Sequence, residues 1–320
     1  MSTDAVATLR FAYNRPAWRR AGRHRDPCVT PRSMTAHDPI KHPIILLGFH
    51  RSGTTMLGKI FSQHSEVAYL SEPRHIWMHA FPYRRFDVLD AQDARSRVGA
   101  TINEEFAQFL AASGRSRFAE KTPSNMVRLP FIRAVMPDCR VIHIIRDGRA
   151  CTYSTVEILK RPPSGRMVRR RAKAVPWWHY PAYILKAWRN LIVPRITRRG
   201  VRYWGPRIPG LRQRVKQLPQ DEMCAWQWQE TVRHARRDAQ AFPAEQYREW
   251  RYEDLVTDPV RVVAEMFSFA GLDVPDSLND WLDDNIRVAS LTKWKTNMTD
   301  KTVARITPHL EPLLGDLGYN

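Results

Sequence analysis

The sequence predicts an α/β fold in which a central parallel sheet is flanked by helices and carries a basic helical insert. Short apolar runs alternate along the chain with longer segments whose apolar residues recur at helical spacing. Strands that alternate with helices are joined by right-handed crossovers into parallel sheets, which bind ligands at the carboxyl ends of their strands. At 320 residues, 43% of them apolar, the chain can bury a sizeable core, which excludes global disorder.

Four strands are predicted in the first half of the chain. Residues 44–47 form an apolar run that ends at a glycine, and residues 67–70 form a second buried strand. A helix with Phe106 on its apolar face follows, before a third strand at 117–120. Residues 141–145, Val-Ile-His-Ile-Ile, form the clearest strand of the chain and lead into another helix.

The second half contributes the basic insert and then mostly helices. The insert, residues 158–220, is rich in Trp and Pro and is predicted to form a broken helical lid. After it, 222–237 is predicted as a long helix, 249–252 as a late strand and 256–271 as a helix that proline starts. A final helical segment is predicted at 303–317.

The positive charge of the chain is concentrated in that insert. The chain has 51 Lys and Arg against 32 Asp and Glu, a formal charge of +19. The insert holds 17 of the basic residues and no acidic one, and the rest of the chain has a net charge of only +2. One basic segment on a nearly neutral protein indicates a local anionic partner and argues against a nucleic-acid-binding surface spread over the whole domain.

Other features narrow the class of protein. No run of about 18 apolar residues is present that would span a membrane. The four cysteines are widely spaced and form no Cys-x-x-Cys pair, so we expect neither a disulfide framework nor a zinc cluster, and we expect a cytoplasmic location. Residues 1–40 are rich in Arg and Pro without the apolar segment of a secretory signal, and we interpret them as an N-terminal extension.

A glycine-containing loop follows the first predicted strand. Gly48 and Gly53 are separated by four residues, and Thr54 and Thr55 then open a helix. Glycines at this spacing let successive backbone N–H groups converge on an anion at a helix N-terminus, so the sheet is predicted to be P-loop-like. A nucleoside triphosphatase would have lysine at the position of Thr54, whereas the cation here is Arg51, inside the loop. This difference disfavours γ-phosphoryl transfer, and an ordinary tight turn is the structural alternative.

A second anion site is predicted after the clearest strand. Arg146 at the strand end can clamp a phosphate, and Ser154, one to two helical turns later, can donate to the same group. A salt bridge between Arg146 and Asp147 is the alternative. The two motifs together are far more specific for an anion site than either motif alone.

These motifs resemble the sulfotransferase family. The resemblance covers nearly the whole chain after about residue 40 and implies one sulfotransferase domain at 41–320, with the insert 158–220 as its acceptor lid. It is carried by Pro-Ile-Ile-Leu-Leu-Gly-Phe-His-Arg-Ser-Gly-Thr-Thr at 43–55, Glu-Lys-Thr-Pro-Ser-Asn at 120–125, Ile-Arg-Asp-Gly-Arg-x4-Ser at 145–154, Arg-Tyr-Glu-Asp-Leu at 251–255 and Leu-Gly-Tyr at 317–319.

The resemblance implies that the domain binds 3′-phosphoadenosine 5′-phosphosulfate as the sulfuryl donor and releases adenosine 3′,5′-bisphosphate. It assigns Arg146 and Ser154 to the 3′-phosphate, Tyr252 to the surroundings of the adenine, and Lys295 to a segment that folds over the donor. The residues assigned to the 5′-phosphosulfate are Arg51, Ser52, Gly53, Thr54 and Thr55.

Sulfuryl transfer is an in-line displacement that needs a base for the acceptor hydroxyl and cations where charge accumulates on the leaving phosphate. Arg51 is the cation expected at the transferred group. Lys121 follows the third strand, where a flexible ammonium could reach the bridging oxygen; a surface lysine is the alternative.

Glu72, just after the second strand, is the expected base. The alternative is a structural role, in which its carboxylate only interacts with the N–H groups at the start of a helix. Family members that act on small phenols use a histidine after a Lys-Thr pair, where this chain has Pro123. The chain is therefore more similar to the protein-tyrosine and carbohydrate sulfotransferases, whose base is a glutamate. His50 is a candidate contact on the acceptor side.

A metal site and two other functions are the alternatives to sulfuryl transfer. His75 and His79 stand at i and i+4, but no third ligand is evident and the chemistry needs no metal. A P-loop nucleotide kinase or NTPase would share the loop and sheet, and a nucleic-acid-binding protein could use the basic insert, although no nucleic acid is expected. The acceptor could be a hydroxyl of a glycan, a lipid, a small metabolite or a peptide tyrosine. The sequence also allows a homodimer and a peripheral contact with an anionic membrane.

Overall fold

The computed structural model describes residues 40–160, 203–288 and 291–319. Nearly all of the predicted N-terminal extension, and residues 161–202 of the basic insert, lie outside the described residues. The predictions of a leader at 1–40 and of an acceptor lid in the insert therefore stay predictions.

A parallel sheet of five strands organises the described part of the chain. Its strand order is β2-β3-β1-β4-β5, and each neighbouring pair runs parallel. The strands are β1 (Ile44–Leu47), β2 (Val67–Ser71), β3 (Arg117–Lys121), β4 (Arg140–Ile145) and β5 (Tyr247–Arg251). The predicted α/β fold with a central parallel sheet is confirmed, and all five strands end at the same edge.

Helices cover both faces of the sheet and connect its strands. The first six are α1 (Thr54–Ser62), α2 (Arg74–Trp77), α3 (Ser96–Ser113), α4 (Leu129–Val135), α5 (Gly148–Lys160) and α6 (Leu211–Gln217). The others are α7 (Gln220–Ala239), α8 (Tyr252–Thr257), α9 (Pro259–Ala270), α10 (Leu278–Asn285), α11 (Lys293–Asn297), α12 (Asp300–Ile306) and α13 (Leu313–Asp316). None of the described helices is long and apolar enough to cross a membrane.

The core forms two layers because successive side chains of β1 point to opposite faces of the sheet. Ile45 and Leu47 pack into one layer, which includes Phe106 of α3 and Trp228 of α7. Ile44 and Leu46 pack into the other layer; its helix residues include Leu57 and Ile60 of α1 and Val263, Met266 and Phe267 of α9. A strand that is apolar on both faces is thus explained by a sheet with helices on both sides.

Proline accounts for the two places where the predicted helices are wrong in extent. The segment predicted as one helix over 256–271 is split into α8 and α9, because Asp258 leaves the helical region before Pro259 and its side chain accepts a hydrogen bond from the Arg261 N–H. The segment predicted as helical over 303–317 is likewise divided: Pro308 lies in the first turn of its second piece, Thr307–His309, and Pro312 directly precedes its third, Leu313–Asp316.

Candidate active site

The loop between β1 and α1 depends on two glycines. A Cβ on Gly48 would lie 2.8 Å from the Ile144 carbonyl oxygen, and Gly53 has φ +90° with the Tyr252 ring 2.4 Å from where its Cβ would be. Arg51 also adopts a positive φ, 72°, which turns the chain within the loop. Glycine is therefore required at both positions for the loop to approach β4 and Tyr252 this closely.

Ser52 shapes this loop and does not line the donor cavity described below. Its hydroxyl and its backbone N–H both donate to the Phe49 carbonyl, at 2.5 and 3.1 Å, and its side chain is buried. The Ser52 hydroxyl is thus engaged inside the loop, and the predicted role of Ser52 at the 5′-phosphosulfate stays a prediction.

A cavity of about 290 Å³ opens at the carboxyl edge of the sheet, where β1 and β4 end. Its described lining residues include three cations, Arg51, Arg146 and Lys293, and no carboxylate. The remaining lining residues are Gly53, Thr54, Thr55, Ala150, Tyr153, Ser154, Tyr252 and Trp294. We call this space the donor cavity; it brings together most of the residues that the sequence predicts for the donor.

The two predicted anion motifs are joined by direct contacts in this cavity. The Arg51 Nε donates to Ser154 Oγ at 2.9 Å, and the Arg146 Nη1 donates to the Arg51 carbonyl oxygen at 3.1 Å. The Arg146 guanidinium lies 4.5 Å from the centroid of the Tyr252 ring. Burial lowers the pKa of Arg51, so its charge is partly desolvated and attracts an anion more strongly than a surface arginine would.

The aspartate that follows Arg146 has its own partner. Asp147 accepts two hydrogen bonds from Arg149, from its backbone N–H at 2.7 Å and from its Nη2 at 2.9 Å. Asp147 is thus engaged by the arginine two residues later, in a turn that starts α5. This arrangement leaves the carboxylate outside the lining of the donor cavity.

The segment predicted to cover the donor contributes different residues from the one expected. Lys293 and Trp294 line the cavity, whereas the Lys295 Nζ lies 5.7 Å from the Trp294 ring centroid and Lys295 is not among the described lining residues. Side chains two positions apart on α11 point in widely different directions, since each residue turns the helix by about 100°. Lys293 and Trp294 are thus further candidates for donor contacts, and the donor contact of Lys295 stays a prediction.

Glu72 and Lys121 form an ion pair at the ends of β2 and β3. The Lys121 Nζ lies 2.9 Å from Glu72 Oε1, and the Glu72 N–H donates to the Lys121 carbonyl at 2.8 Å. The Glu72 side chain is 33% exposed and that of Lys121 only 3%, so Lys121 is neither a surface lysine nor a flexible one. Glu72 has φ 55°, a left-handed conformation that non-glycine residues seldom adopt. Both residues lie at the carboxyl edge of the sheet, outside the lining of the donor cavity.

His50 is a buried, neutral histidine in the loop. Burial, together with the positive charges of Arg51 and Arg74, lowers its pKa to about 3. Its ring packs on Phe49 at 3.8 Å between centroids and faces Trp204 at 6.4 Å. The charge of Arg74 therefore acts on the same imidazole as the charge of Arg51 in the donor cavity.

Sequence reasoning missed a group of arginines around Asp87. Arg207 donates to Asp87 from its backbone N–H at 2.9 Å and from its Nη2 at 2.6 Å, and the Arg74 Nη2 lies 3.7 Å from the same carboxylate. Arg128 is fully buried nearby and donates from its Nε to the Ser124 carbonyl at 3.2 Å. Burial opposes ionisation of Asp87, but Arg74 and Arg207 outweigh it and hold the pKa of Asp87 well below its usual range.

The two histidines considered for a metal do not share a helix face. α2 ends at Trp77, so His79 lies beyond it, and the His79 Nδ1 lies 3.8 Å from Glu105 Oε1. In the three described stretches of the chain, no group of three or more His, Cys, Asp or Glu side chains is placed to hold a metal ion.

The fold and this cavity define a P-loop-like α/β protein whose sheet ends at a cavity lined by positively charged side chains, which suit an anion. The model of the sulfotransferase family matches residues 43–204, about half of the chain, and the chain belongs to that family. A curacin-pathway sulfotransferase domain has the same fold, with a TM-score of 0.51 and 13% identity over 88% of this chain and 99% of that one.

Two curated relatives come from Mus musculus. Carbohydrate sulfotransferase 5 is 25% identical over 297 residues, which cover 75% of this chain and 66% of the relative. Carbohydrate sulfotransferase 3 is 23% identical over 336 residues, which cover 90% of this chain and 70% of the relative. The chain thus spans about two thirds of the length of these relatives.

Proposed function

We propose that the protein transfers the sulfuryl group of 3′-phosphoadenosine 5′-phosphosulfate to an acceptor hydroxyl. The observation that carries the proposal is the contact between Arg51 and Ser154, which joins the two anion motifs in one cavity. One nucleotide that bears anionic groups at both its 5′ and 3′ ends would use both motifs at once.

The lining of the donor cavity suits such a donor chemically. Three cations and no carboxylate among the described lining residues favour a ligand with several negative charges. Thr54 and Thr55 place the N-terminus of α1 at the cavity, where free N–H groups and the helix dipole favour an anion. The aromatic rings of Tyr252 and Trp294 supply flat surfaces for a purine.

Glu72 is the proposed base. In the proposed step the acceptor oxygen attacks the sulfur, its proton passes to a Glu72 carboxylate oxygen, and the sulfur–oxygen bond to the leaving phosphate breaks. The positive φ of Glu72 and its backbone bond to Lys121 fix the carboxylate at the edge of the sheet. Such fixed placement is the kind of strain that active sites retain when it orients a reacting group.

Lys121 and Arg51 are proposed to stabilise the negative charge that develops on the leaving phosphate. Arg51 lies in the donor cavity, whereas Lys121 is held beside it at the end of β3 by its ion pair with Glu72. When Glu72 accepts the proton it loses its charge, and the Lys121 ammonium becomes free to interact with the leaving oxygen. The ion pair thus couples the base to the cation, and this coupling supports a single concerted role for both.

The acceptor proposed first is a glycan hydroxyl. The two murine relatives are carbohydrate sulfotransferases by name, and Pro123 replaces the histidine expected in the small-phenol type. A nucleotide kinase is disfavoured because Thr54, and not lysine, lines the donor cavity at the position that would reach a γ-phosphate.

Incubation with donor labelled in its sulfuryl group, an oligosaccharide pool and a cell extract tests the proposal. We expect label in a glycan fraction and release of adenosine 3′,5′-bisphosphate in equal amount. The matched control is Arg236→Gln, a substitution outside the lining of the donor cavity, which should label at the wild-type rate. Failure of the wild type to label any acceptor while it binds the bisphosphate would contradict the proposed transfer.

A further inference from the structure

Three arginines gather around one buried carboxylate close to His50, and none of them lines the donor cavity. The three are Arg74, Arg128 and Arg207, and the carboxylate is Asp87. We call these four residues the arginine cluster. It joins the start of α2 and the turn after β3 to Arg207 in the described end of the insert, and it has no part in the donor contacts described above.

The arginine cluster contains more positive than negative charge. Asp87 is satisfied by Arg207, which donates to both of its carboxylate oxygens. Arg128 is completely buried, and its Nη1 and Nη2 have no hydrogen-bond partner among the described residues. The other carboxylate near Arg128 is Glu120, and burial raises its pKa to about 7, so it is partly protonated at neutral pH. Among the described residues, one carboxylate that stays ionised thus lies close to three guanidinium groups, an arrangement that favours an anionic ligand.

Arg74 is the member of the arginine cluster that a ligand can reach. Its side chain is 34% exposed, against 14% for Arg207, while Arg128 is fully buried. Its Nη2 donates to Ser124 Oγ at 3.0 Å, which leaves the other N–H groups of the fork for further contacts. Its Nη2 also lies 3.7 Å from Asp87, a carboxylate that it shares with Arg207.

Arg74 also lies next to the proposed chemistry. Its backbone N–H donates to the Glu72 carbonyl at 2.7 Å, two residues from the proposed base. Its charge contributes to the low pKa of His50, which directly precedes Arg51 in the loop. Both ring nitrogens of His50 are buried without a hydrogen-bond partner among the described residues. Arg74 is therefore placed between the proposed base and an unsatisfied histidine of the donor loop.

We propose that Arg74 binds an oxyanion group of the acceptor, a carboxylate or a sulfate ester, and that it selects acidic acceptors over neutral ones. The inference rests on the proposed sulfuryl transfer and adds the substrate class of the same site. A guanidinium fork matches the paired oxygens of carboxylate and sulfate, and removing such a charged contact typically costs a few kcal/mol, about 10- to 1000-fold in affinity.

The test compares acceptors that differ only in charge. The probes are a hyaluronan hexasaccharide, the same hexasaccharide with its carboxyl groups reduced to alcohols, and this neutral form with sulfate esters added. Binding of each is measured by calorimetry to the full chain saturated with adenosine 3′,5′-bisphosphate. We expect the wild type to bind at least one acidic form about tenfold or more tightly than the neutral form, and the acidic form that it prefers identifies the group.

Variants at position 74 attribute the preference to this arginine. Arg74→Gln should lose the preference and bind all three probes alike, and Arg74→Lys should keep part of it, while both bind the bisphosphate as the wild type does. Arg236→Gln, whose side chain is 35% exposed and pairs with Glu249, is the matched control and should keep the full preference. Thermal unfolding of each variant verifies that the fold is retained.

Equal binding of the three probes by the wild type, including no binding of any, would overturn the inference, and so would an undiminished preference in Arg74→Gln. Transfer of labelled sulfate is measured separately on the same probes. Transfer to the neutral form alone would refute the acidic subsite and leave the proposed function intact. A preference for acidic probes without any transfer would refute the proposed function and leave the subsite.

Discussion

The donor cavity and a second, larger cavity on the same sheet differ in how their arginines are compensated. The second cavity, about 580 Å³, is lined by Arg233, Arg236 and Arg237 together with Tyr247 and Glu249. Each of these arginines has a carboxylate partner: Glu230 at 2.6 Å, Glu249 at 3.1 Å and Asp238 at 2.7 Å, respectively. In the donor cavity the described lining residues include three cations and no carboxylate.

The second cavity also contains a self-contained hydrogen-bonded group, which we call the β4–β5 cluster: His143, Tyr247, Glu249 and Arg236. The Tyr247 hydroxyl donates to Glu249 Oε1 at 2.7 Å and lies 2.5 Å from the His143 Nδ1. These contacts link polar groups of neighbouring strands to one another, as is usual for buried polar groups with a structural role. The two cavities thus differ in whether carboxylates are among their described lining residues, and the proposed donor site is the cavity without one.

The largest effect is expected from Glu72→Gln, which removes the proposed base and keeps the shape of the side chain. Turnover should fall by about 10²- to 10⁴-fold, the usual contribution of a general base. Calorimetry should find binding of adenosine 3′,5′-bisphosphate within a few fold of the wild type. Glu249→Gln makes the same chemical change in the β4–β5 cluster and should keep wild-type turnover. If Glu72→Gln also kept it, Glu72 would have no place in the mechanism.

The next effect concerns the 3′-phosphate. Arg146→Ala should weaken binding of adenosine 3′,5′-bisphosphate by about 10- to 1000-fold, the cost of truncating a charged contact, and weaken binding of 5′-adenosine monophosphate far less. Arg236→Ala, in the β4–β5 cluster, should change neither affinity. Equal losses for both nucleotides in Arg146→Ala would show that this arginine does not bind the 3′-phosphate.

A smaller effect separates two neighbouring lysines of α11. Lys293→Ala should weaken bisphosphate binding several-fold because Lys293 lines the donor cavity, whereas Lys295→Ala should leave it unchanged. Both side chains are exposed, so neither substitution should alter stability appreciably. A larger loss of bisphosphate affinity in Lys295→Ala than in Lys293→Ala would support the donor contact that the sequence predicts for Lys295. It would mean that α11 moves when the donor binds.

The smallest effect is a change in acid stability in the β4–β5 cluster. Burial raises the pKa of Glu249, but hydrogen bonds from His143 and Tyr247 and the charge of Arg236 outweigh it and lower the pKa to about 2. A carboxyl with a lowered pKa in the folded state stabilises the protein above its ordinary pKa, and this stabilisation is lost as the pH falls towards 2.

Denaturant unfolding at a series of pH values from 7 to 3 measures this effect. The free energy of unfolding of the wild type should decline between about pH 5 and 3, and Glu249→Gln should lack that part of the decline. Parallel pH profiles for the two proteins would show that Glu249 is not stabilised as a carboxylate in the fold.

The sequence was a good guide wherever the physical cause is local. The strand at 44–47 and the glycines at 48 and 53 lie within one short segment, and the structure has the strand and the loop where they were predicted. That the two anion motifs lie at the same edge of a parallel sheet followed from the rule that parallel strands end at one edge, whereas the strand order and the contact of Arg51 with Ser154 came from the structure.

Contacts between distant segments could not be predicted in this way. Asp87 meets Arg207 across 120 positions of sequence, and no local pattern marks either residue as part of a pair. Lysine is usually found at the surface, yet Lys121 is buried. Its charge is tolerated there because the pairing of β2 with β3 brings Glu72 beside it. Ser52 fits the phosphate-loop motif, but only the structure shows that its hydroxyl is bonded to Phe49.

Calorimetry of the full chain with adenosine 3′,5′-bisphosphate and, separately, with ATP and magnesium tests most directly whether the donor cavity binds a sulfuryl-donor nucleotide. The account predicts tight binding of the bisphosphate and much weaker binding of ATP with magnesium, because the 3′-phosphate is recognised and no lysine stands at position 54. Tight binding of ATP with magnesium and weak binding of the bisphosphate would contradict it.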